Sequence, residues 1–189
     1  ERFMSFNGTA GTWRKTAIAA AGGWHHDTLT EDLDLSYRAQ LKGWKFIFLP
    51  DVTAPAELPP EMNAFKAQQF RWTKGGAQCT LKLLPKILLS KASLKVKIES
   101  FFHLTGFCLH LYMLALVIML FPAIYLRTVV VQDSSIWRSI IDMGVFVLAT
   151  MSAFVFYLAS QLQLSRDWRT VFKFMPMLMA LGVGICISN

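Results

Sequence analysis

Charge is scarce in this chain of 189 residues: 16% of the side chains are charged against 54% hydrophobic, and long stretches carry none. Cysteine is scarcer still. Cys79, Cys108 and Cys186 share no ligand spacing, so neither a disulfide framework nor a thiolate metal site is written here, and all three read as small apolar residues. No signal peptide is expected in these residues, since Glu1 reads as the middle of a domain, with neither a charged leader nor an apolar one. The lysine run from Lys82 to Lys97 has no aromatics interleaved among its lysines, which argues against nucleic acid as a partner. Metal-ligand spacing is absent too. Asp32-Leu33-Asp34 fits Asp-x-Asp by letters, but inside a helix i and i+2 face different ways and cannot close on one ion. His25 and His26 are adjacent, so they diverge in an extended chain and read as a surface loop.

What remains divides into three regions. Residues 1–60 carry six basic and seven acidic side chains and mix short apolar runs with Gly and Pro, as a soluble α/β domain does. Sixty residues are too few to bury a core alone, so this segment is expected to be part of something larger. Strands are expected at Arg2 to Phe6 and Lys45 to Leu49, with Pro50, Pro55, Pro59 and Pro60 marking a turn-rich stretch after them. Residues 61–100 carry eight basic and two acidic side chains, nearly the whole of the chain's net +7. Lys82, Lys86, Lys91, Lys95 and Lys97 alternate with Leu83, Ile87, Leu94, Val96 and other aliphatics, the pattern of amphipathic helices lying on an anionic bilayer surface. From Phe101 to Leu126 there are 26 residues without a formal charge, more than the ~20 a helix needs to cross a bilayer. Further spans are expected at about 143–162 and 174–189, joined by polar turns at 127–139 and 163–173. The lysines ahead of the first span place the amino-terminal part in the cytoplasm. His103 and His110 lie within that span, where a polar side chain is costly and often functional.

Two motifs carry chemistry. Thr28-Leu29-Thr30-Glu31 has capping-box wording, and Leu33, Tyr37 and Leu41 follow at helical spacing, which predicts a helix from Thr28–Thr30 to Gly43 with Glu31 and Asp32 in its first turn. A carboxylate there is favoured by the helix dipole and stays ionised, as a general base must. Asp34 and Arg38 form an i,i+4 pair and read as a solvated face. Thirty-six residues after Asp32 comes Gln68-Gln69-Phe70-Arg71-Trp72, in a stretch predicted to be helical from Glu61 to about Gln78. Gln68, Arg71 and Trp72 then project from one face. An amide, a guanidinium that forks onto phosphate oxygens and an indole that stacks on a pyranose suit a sugar nucleotide.

The ordered set Phe6-Asn7-Gly8-Thr9, Gly22-Gly23-Trp24, Thr30-Glu31-Asp32, Gly43-Trp44-Lys45, Glu57-Leu58-Pro59 and Gln68-Gln69-Phe70-Arg71-Trp72 resembles the membrane-embedded family 2 glycosyltransferases. These include cellulose, chitin, hyaluronan and mannan synthases, and the wording is most similar to the cellulose synthase-like branch that makes mannan or glucomannan. The resemblance covers residues 3 to about 80. It implies a fold that is α/β plus membrane all-α: the second half of a GT-A (Rossmann-like) domain over 1–60, interfacial helices over 61–100, and transmembrane helices over 101–189. It implies inverting transfer of a hexose from a nucleotide sugar, UDP-glucose or GDP-mannose, to a growing β-linked glycan that passes across the bilayer. Asp32 would be the base, with Thr30 and Glu31 shaping its helix start. Gln68 and Arg71 would hold the donor diphosphate, Trp72 would floor the acceptor sugar, and Phe6, Asn7 and Gly8 would flank it.

The resemblance further implies Mg2+ or Mn2+, with ligands in an amino-terminal half that this chain lacks. The chain is therefore expected to be a carboxy-terminal fragment, inactive alone, of a multi-pass protein of the inner, plasma or Golgi-type membrane. Two other readings stay open. One is a non-processive enzyme making a glycolipid, and the other is a non-catalytic membrane scaffold.

Overall fold

The computed structural model describes residues 3–126, 129, 136–164 and 168–186. Seven α-helices run in order: α1 (Lys15–Ala20), α2 (Glu31–Leu41), α3 (Met62–Leu89), α4 (Leu94–Thr105), α5 (Leu109–Tyr125), α6 (Ile136–Leu164) and α7 (Trp168–Cys186), with one turn of 3-10 helix at Gly106–Cys108. They fall into two compact units that divide between Tyr112 and Met113.

The first unit is built on α2, α3 and α4. Leu33 and Tyr37 from α2, Cys79, Leu83 and Ile87 from α3, and Leu104 from α4 form one buried cluster. Each of its large aliphatics contributes about 1.5–3 kcal/mol by leaving water. Polar bonds tie α4 to each of the other two helices. The Thr80 hydroxyl lies 2.8 Å from both Gly76 O and Leu104 O, tying α3 to α4. Tyr37 Oη and His103 Nδ1 are 2.6 Å apart and tie α2 to α4. Burial pushes the Tyr37 phenol up to about 12, so it keeps its proton at neutral pH.

The helix expected from Thr28–Thr30 to Gly43 runs Glu31–Leu41, but its cap is not the predicted box. Thr30 is the N-cap and makes no side-chain capping bond. Its hydroxyl instead lies 3.4 Å from Cys79 Sγ on α3, and Asp32 Oδ1 accepts the Leu33 N–H at 2.8 Å in the first turn. The second predicted helix starts where expected and continues past Gln78 to Leu89, with Pro85 inside it. Buried Leu83 and Ile87 hold α3 together where Pro85 offers no N–H to the preceding turn.

The expected strands do not form: among the described residues there is no β-strand, and Arg2 lies outside them. The reason is the partner each segment finds. Met4 N–H donates to Gln40 Oε1 and Met4 O accepts from Gln40 Nε2, each at 2.8 Å, while Phe6 N–H donates to Ser36 Oγ at 3.0 Å. Side chains of α2 thus take the place of a neighbouring strand at every second residue. Residues 45–49 have no regular secondary structure, and Ile47 and Phe48 are exposed.

The amphipathic region also departs from expectation. Leu83, Ile87 and Val96 face the protein core, and Lys82 is drawn inward, whereas Leu81, Leu89 and Leu94 face outward. The uncharged tract 101–126 is not one helix; it is shared among α4, the 3-10 turn and α5, and its first part packs on α3 through Leu104 and Phe107. Among the described residues no helix is long and apolar enough to cross a membrane. Parts of the predicted turns 127–139 and 163–173, the end of the third predicted span, and the His110 side chain lie outside the described residues. In the second unit α6 packs on α7 through Phe154 and Phe172, 4.8 Å apart, above buried Val171 and Met175.

Candidate active site

Two pieces of the predicted site meet at the start of α2, where α3 also abuts it at Gly75. The chain enters through Thr30, half-buried beneath α3, and turns into the helix at Glu31. Gly75 makes the approach possible: a Cβ there would lie 2.6 Å from Thr30 Cγ2 and 2.8 Å from both Thr30 N and Oγ1. From the other side comes the loop Phe6-Asn7-Gly8. Gly8 has φ +77°, a conformation other residues avoid, and a Cβ on it would lie 3.0 Å from Asp32 Oδ2. Asn7 is exposed, and Phe6 packs edge-on against Trp13 with ring centroids 5.6 Å apart. The loop therefore walls the carboxylate of Asp32.

Asp32 is half-buried, and that burial raises its pKa above the ordinary value of 3.8 against the lowering effect of its bond to Leu33 N–H, with the neighbouring Glu31 charge adding to the rise. Such a shift moves a carboxylate toward the range in which a base both accepts a proton readily and remains ionised. Glu31 points outward and lines an open cavity of about 580 Å³ with Trp24, His25, His26, Thr28 and Leu29.

Gln68, Arg71 and Trp72 lie in the first three turns of α3. By helical geometry they share a face with Gly75 and Cys79, the residues that touch Thr30. Arg71 lies four residues before Gly75, about 6 Å along the axis. The motif face is thus a prolongation of the face that contacts the Asp32 helix. Arg71 is exposed and has no ion-pair partner among the described residues, Trp72 is half exposed, and Gln68 is half-buried. A free guanidinium beside an open indole is fit to receive an anionic, ring-bearing ligand.

The pair Asp34–Arg38 is not a solvated face. Asp34 is fully buried, and Arg38 grips its Oδ2 through Nε at 2.8 Å and NH2 at 2.7 Å. Arg38 also donates to Ala21 O and Gly23 O, holding the glycine turn ahead of Trp24. From α3 comes Lys82, whose Nζ lies 2.9 Å from Asp34 Oδ1 as an ion pair, 2.7 Å from Asp27 Oδ1 and 3.3 Å from His25 Nδ1. Burial alone would lower the Lys82 pKa, but its bonds to Asp27 and Asp34 outweigh that and raise it, so the amine stays charged. Asp27 is lowered in turn, chiefly by its bond to Lys82. Asp32 and Asp34 do face apart, one toward the Gly8 loop and the other toward Lys82.

His25, Asp27 and Asp34 offer ligand atoms within 4.8 Å of one another, a clustering that sequence spacing concealed. A divalent metal does not fit there, because the Lys82 ammonium already stands within 3.3 Å of all three and neutralises their charge. Sequence reasoning missed Lys82 because it is one lysine in a lysine-rich run. It also missed Gly75, although paired glycines inside an otherwise strong helix signal a close approach.

Comparison with known proteins gives the family of the chain. A family model described as "Glycosyl transferase family group 2" matches residues 2–187. Among curated relatives, the "Probable glucomannan 4-beta-mannosyltransferase 10" of Arabidopsis thaliana is 46% identical over 112 residues, covering 57% of this chain and 20% of that protein. The "Probable glucomannan 4-beta-mannosyltransferase 7" of Oryza sativa subsp. japonica is 52% identical over 89 residues, 47% of this chain and 15% of that protein. The "Glucomannan 4-beta-mannosyltransferase 1" of the same rice is 42% identical over 125 residues, 64% of this chain and 24% of that protein. The chain thus spans about a fifth of the length of these relatives. No solved structure matches.

Proposed function

The chain belongs to glycosyl transferase family group 2, and from that premise we propose that it is the carboxy-terminal part of a GT-A synthase that transfers a hexose from a nucleotide sugar to a growing β-linked glycan. The single observation that supports the reading is the abutment of α3 on the start of the Asp32 helix at Gly75, which lies one turn beyond Arg71 and Trp72 on the same face of α3. Asp32 takes the proton of the acceptor hydroxyl as its oxygen attacks the anomeric carbon. The bond from that carbon to the donor diphosphate breaks on the opposite face, and Arg71 with Gln68 receives the departing charge. Trp72 supports the acceptor ring, and Phe6, Asn7 and Gly8 wall it. Inversion follows from attack and departure on opposite faces. The names of the relatives favour GDP-mannose as donor, with UDP-glucose as the second candidate.

The membrane belongs to this proposal as well. The uncharged tracts 101–126 and 143–162 and the apolar side chains that α5 exposes, among them Leu116, Phe121 and Ile124, support a multi-pass protein with its catalytic part in the cytoplasm and the glycan passing outward from Trp72.

Membranes bearing the full-length protein, offered each donor separately and the product sized, test this reading. A polymer made from GDP-mannose is expected. A single-sugar glycolipid would mean non-processive transfer, and no product from either donor would leave the scaffold. Arg71→Ala is expected to lower the transfer rate by about 10²- to 10³-fold, in keeping with the loss of a preorganised donor to a developing anion. Arg71→Lys, which keeps the charge without the fork, is expected to recover only part of it.

A further inference from the structure

We propose that Lys82 is a positioning residue for this reaction: its ammonium, seated among His25, Asp27 and Asp34 where a metal ion might otherwise be sought, sets the axial register of the Gln68-Arg71-Trp72 helix against the Asp32 helix. The inference rests on the transfer reading above and adds the device that keeps its two halves aligned.

Gln68, Gly75 and Lys82 recur every seven residues along α3 and so lie on one face. Gly75 and Cys79 touch Thr30, which lets the helices approach, but these contacts are a small notch and two long thiol contacts at 3.4 and 3.6 Å, and the packing of Leu33 and Tyr37 on Leu83 and Ile87 beside them is non-directional. A notch permits sliding. Lys82 does not, because it meets three groups from two directions: Asp27 and His25 on the loop before α2, and Asp34 within α2, two residues after the base. Its side chain is 18% exposed and Asp34 is fully buried, so the pair is shielded from solvent. Gln78 adds one bond in the same direction, accepting the Leu29 N–H at 3.0 Å.

The reach of the device follows from helix geometry. Lys82 lies eleven residues beyond Arg71, about 17 Å along a rigid rod, so a slip at one end appears undiminished at the other. A slip of one residue is about 1.5 Å, and misplacement of reacting groups by about 1 Å can cost 10²-fold in rate.

Removing Lys82 leaves Asp34 paired, since Arg38 still holds it through two bonds. The Lys82→Ala variant is therefore expected to fold while losing the tie from α3. In membranes of the full-length protein, with GDP-mannose as donor, Lys82→Ala is expected to reduce kcat by about 10²-fold. Lys82→Arg, which keeps a cation tethered to α3, is expected to restore at least tenfold of that loss, and Lys82→Met, which keeps the apolar stem without the charge, none. A kcat of Lys82→Ala within threefold of the wild type, or a loss that Lys82→Arg does not reverse, would overturn the assignment. Asp32→Asn run in parallel separates the two levels. If it stays active, the transfer reading itself fails; if it is dead beside an indifferent Lys82→Ala, only the role of Lys82 fails.

Discussion

Replacing Asp32 by Asn in the full-length protein is expected to lower glycan synthesis by about 10³- to 10⁴-fold, the upper range for removal of a positioned base. Asn keeps the shape and can still accept the Leu33 N–H that Asp32 Oδ1 now takes, so the loss isolates proton transfer. The pH dependence has a definite sign. Burial raises the Asp32 pKa above 3.8, and the base works only when ionised. The acid limb of kcat/KM should therefore be displaced upward from the pH at which an ordinary aspartate titrates, and it should vanish from the residual rate of Asp32→Asn. Stability runs the other way. A carboxyl whose folded pKa is raised subtracts stability above its unfolded pKa, because folding disfavours its charged form. Asp32→Asn should accordingly be no less stable than the wild type at neutral pH, and more active protein should not be recoverable by stabilising it. A melting curve taken beside the rate separates a lost base from a lost fold.

Gly75→Ala is the second substitution with a large expected effect. In an isolated helix the change would help by about 1 kcal/mol. Here the new Cβ meets Thr30 at 2.6–2.8 Å, and one of the atoms it meets is the backbone nitrogen, which cannot swing aside as a side chain can. Overpacking of this kind costs about 1–3 kcal/mol, which exceeds the helix gain, and α3 must lift away from the start of α2. The motif face lifts with it. We expect a lowered melting temperature together with a rate loss of about 10²-fold. Gly106→Ala, where a Cβ meets nothing within 4 Å, serves as the control and should leave both unchanged.

These two residues show what a sequence states openly and what it withholds. The helices that carry Asp32 and Gln68-Arg71-Trp72 were legible because local rules decide them: first-turn carboxylates and helical apolar spacing. Helix starts followed for the same reason. The partner of each group was not legible, because partners are set by tertiary approach. Thr30 looked like a cap and bonds Cys79 instead. Asp34 and Arg38 looked solvated and are buried, since the lysine that completes their charge lies 48 residues away. Phe3 to Phe6 looked like a strand and is extended, but the groups it bonds are the side chains of Gln40 and Ser36. The apolar tract from Phe101 looked like a single span, and its first residues instead help to close the core over α3.

The most direct measurement is the position of the donor diphosphate in a structure of the full-length protein bound to GDP. The proposed site places its phosphate oxygens within about 3 Å of the Arg71 guanidinium, at the end of α3 that Gly75 brings to α2, with the Asp32 carboxylate facing the space where the anomeric carbon would lie. A diphosphate bound elsewhere, with Arg71 still open to solvent and Asp32 turned away from it, would contradict the site.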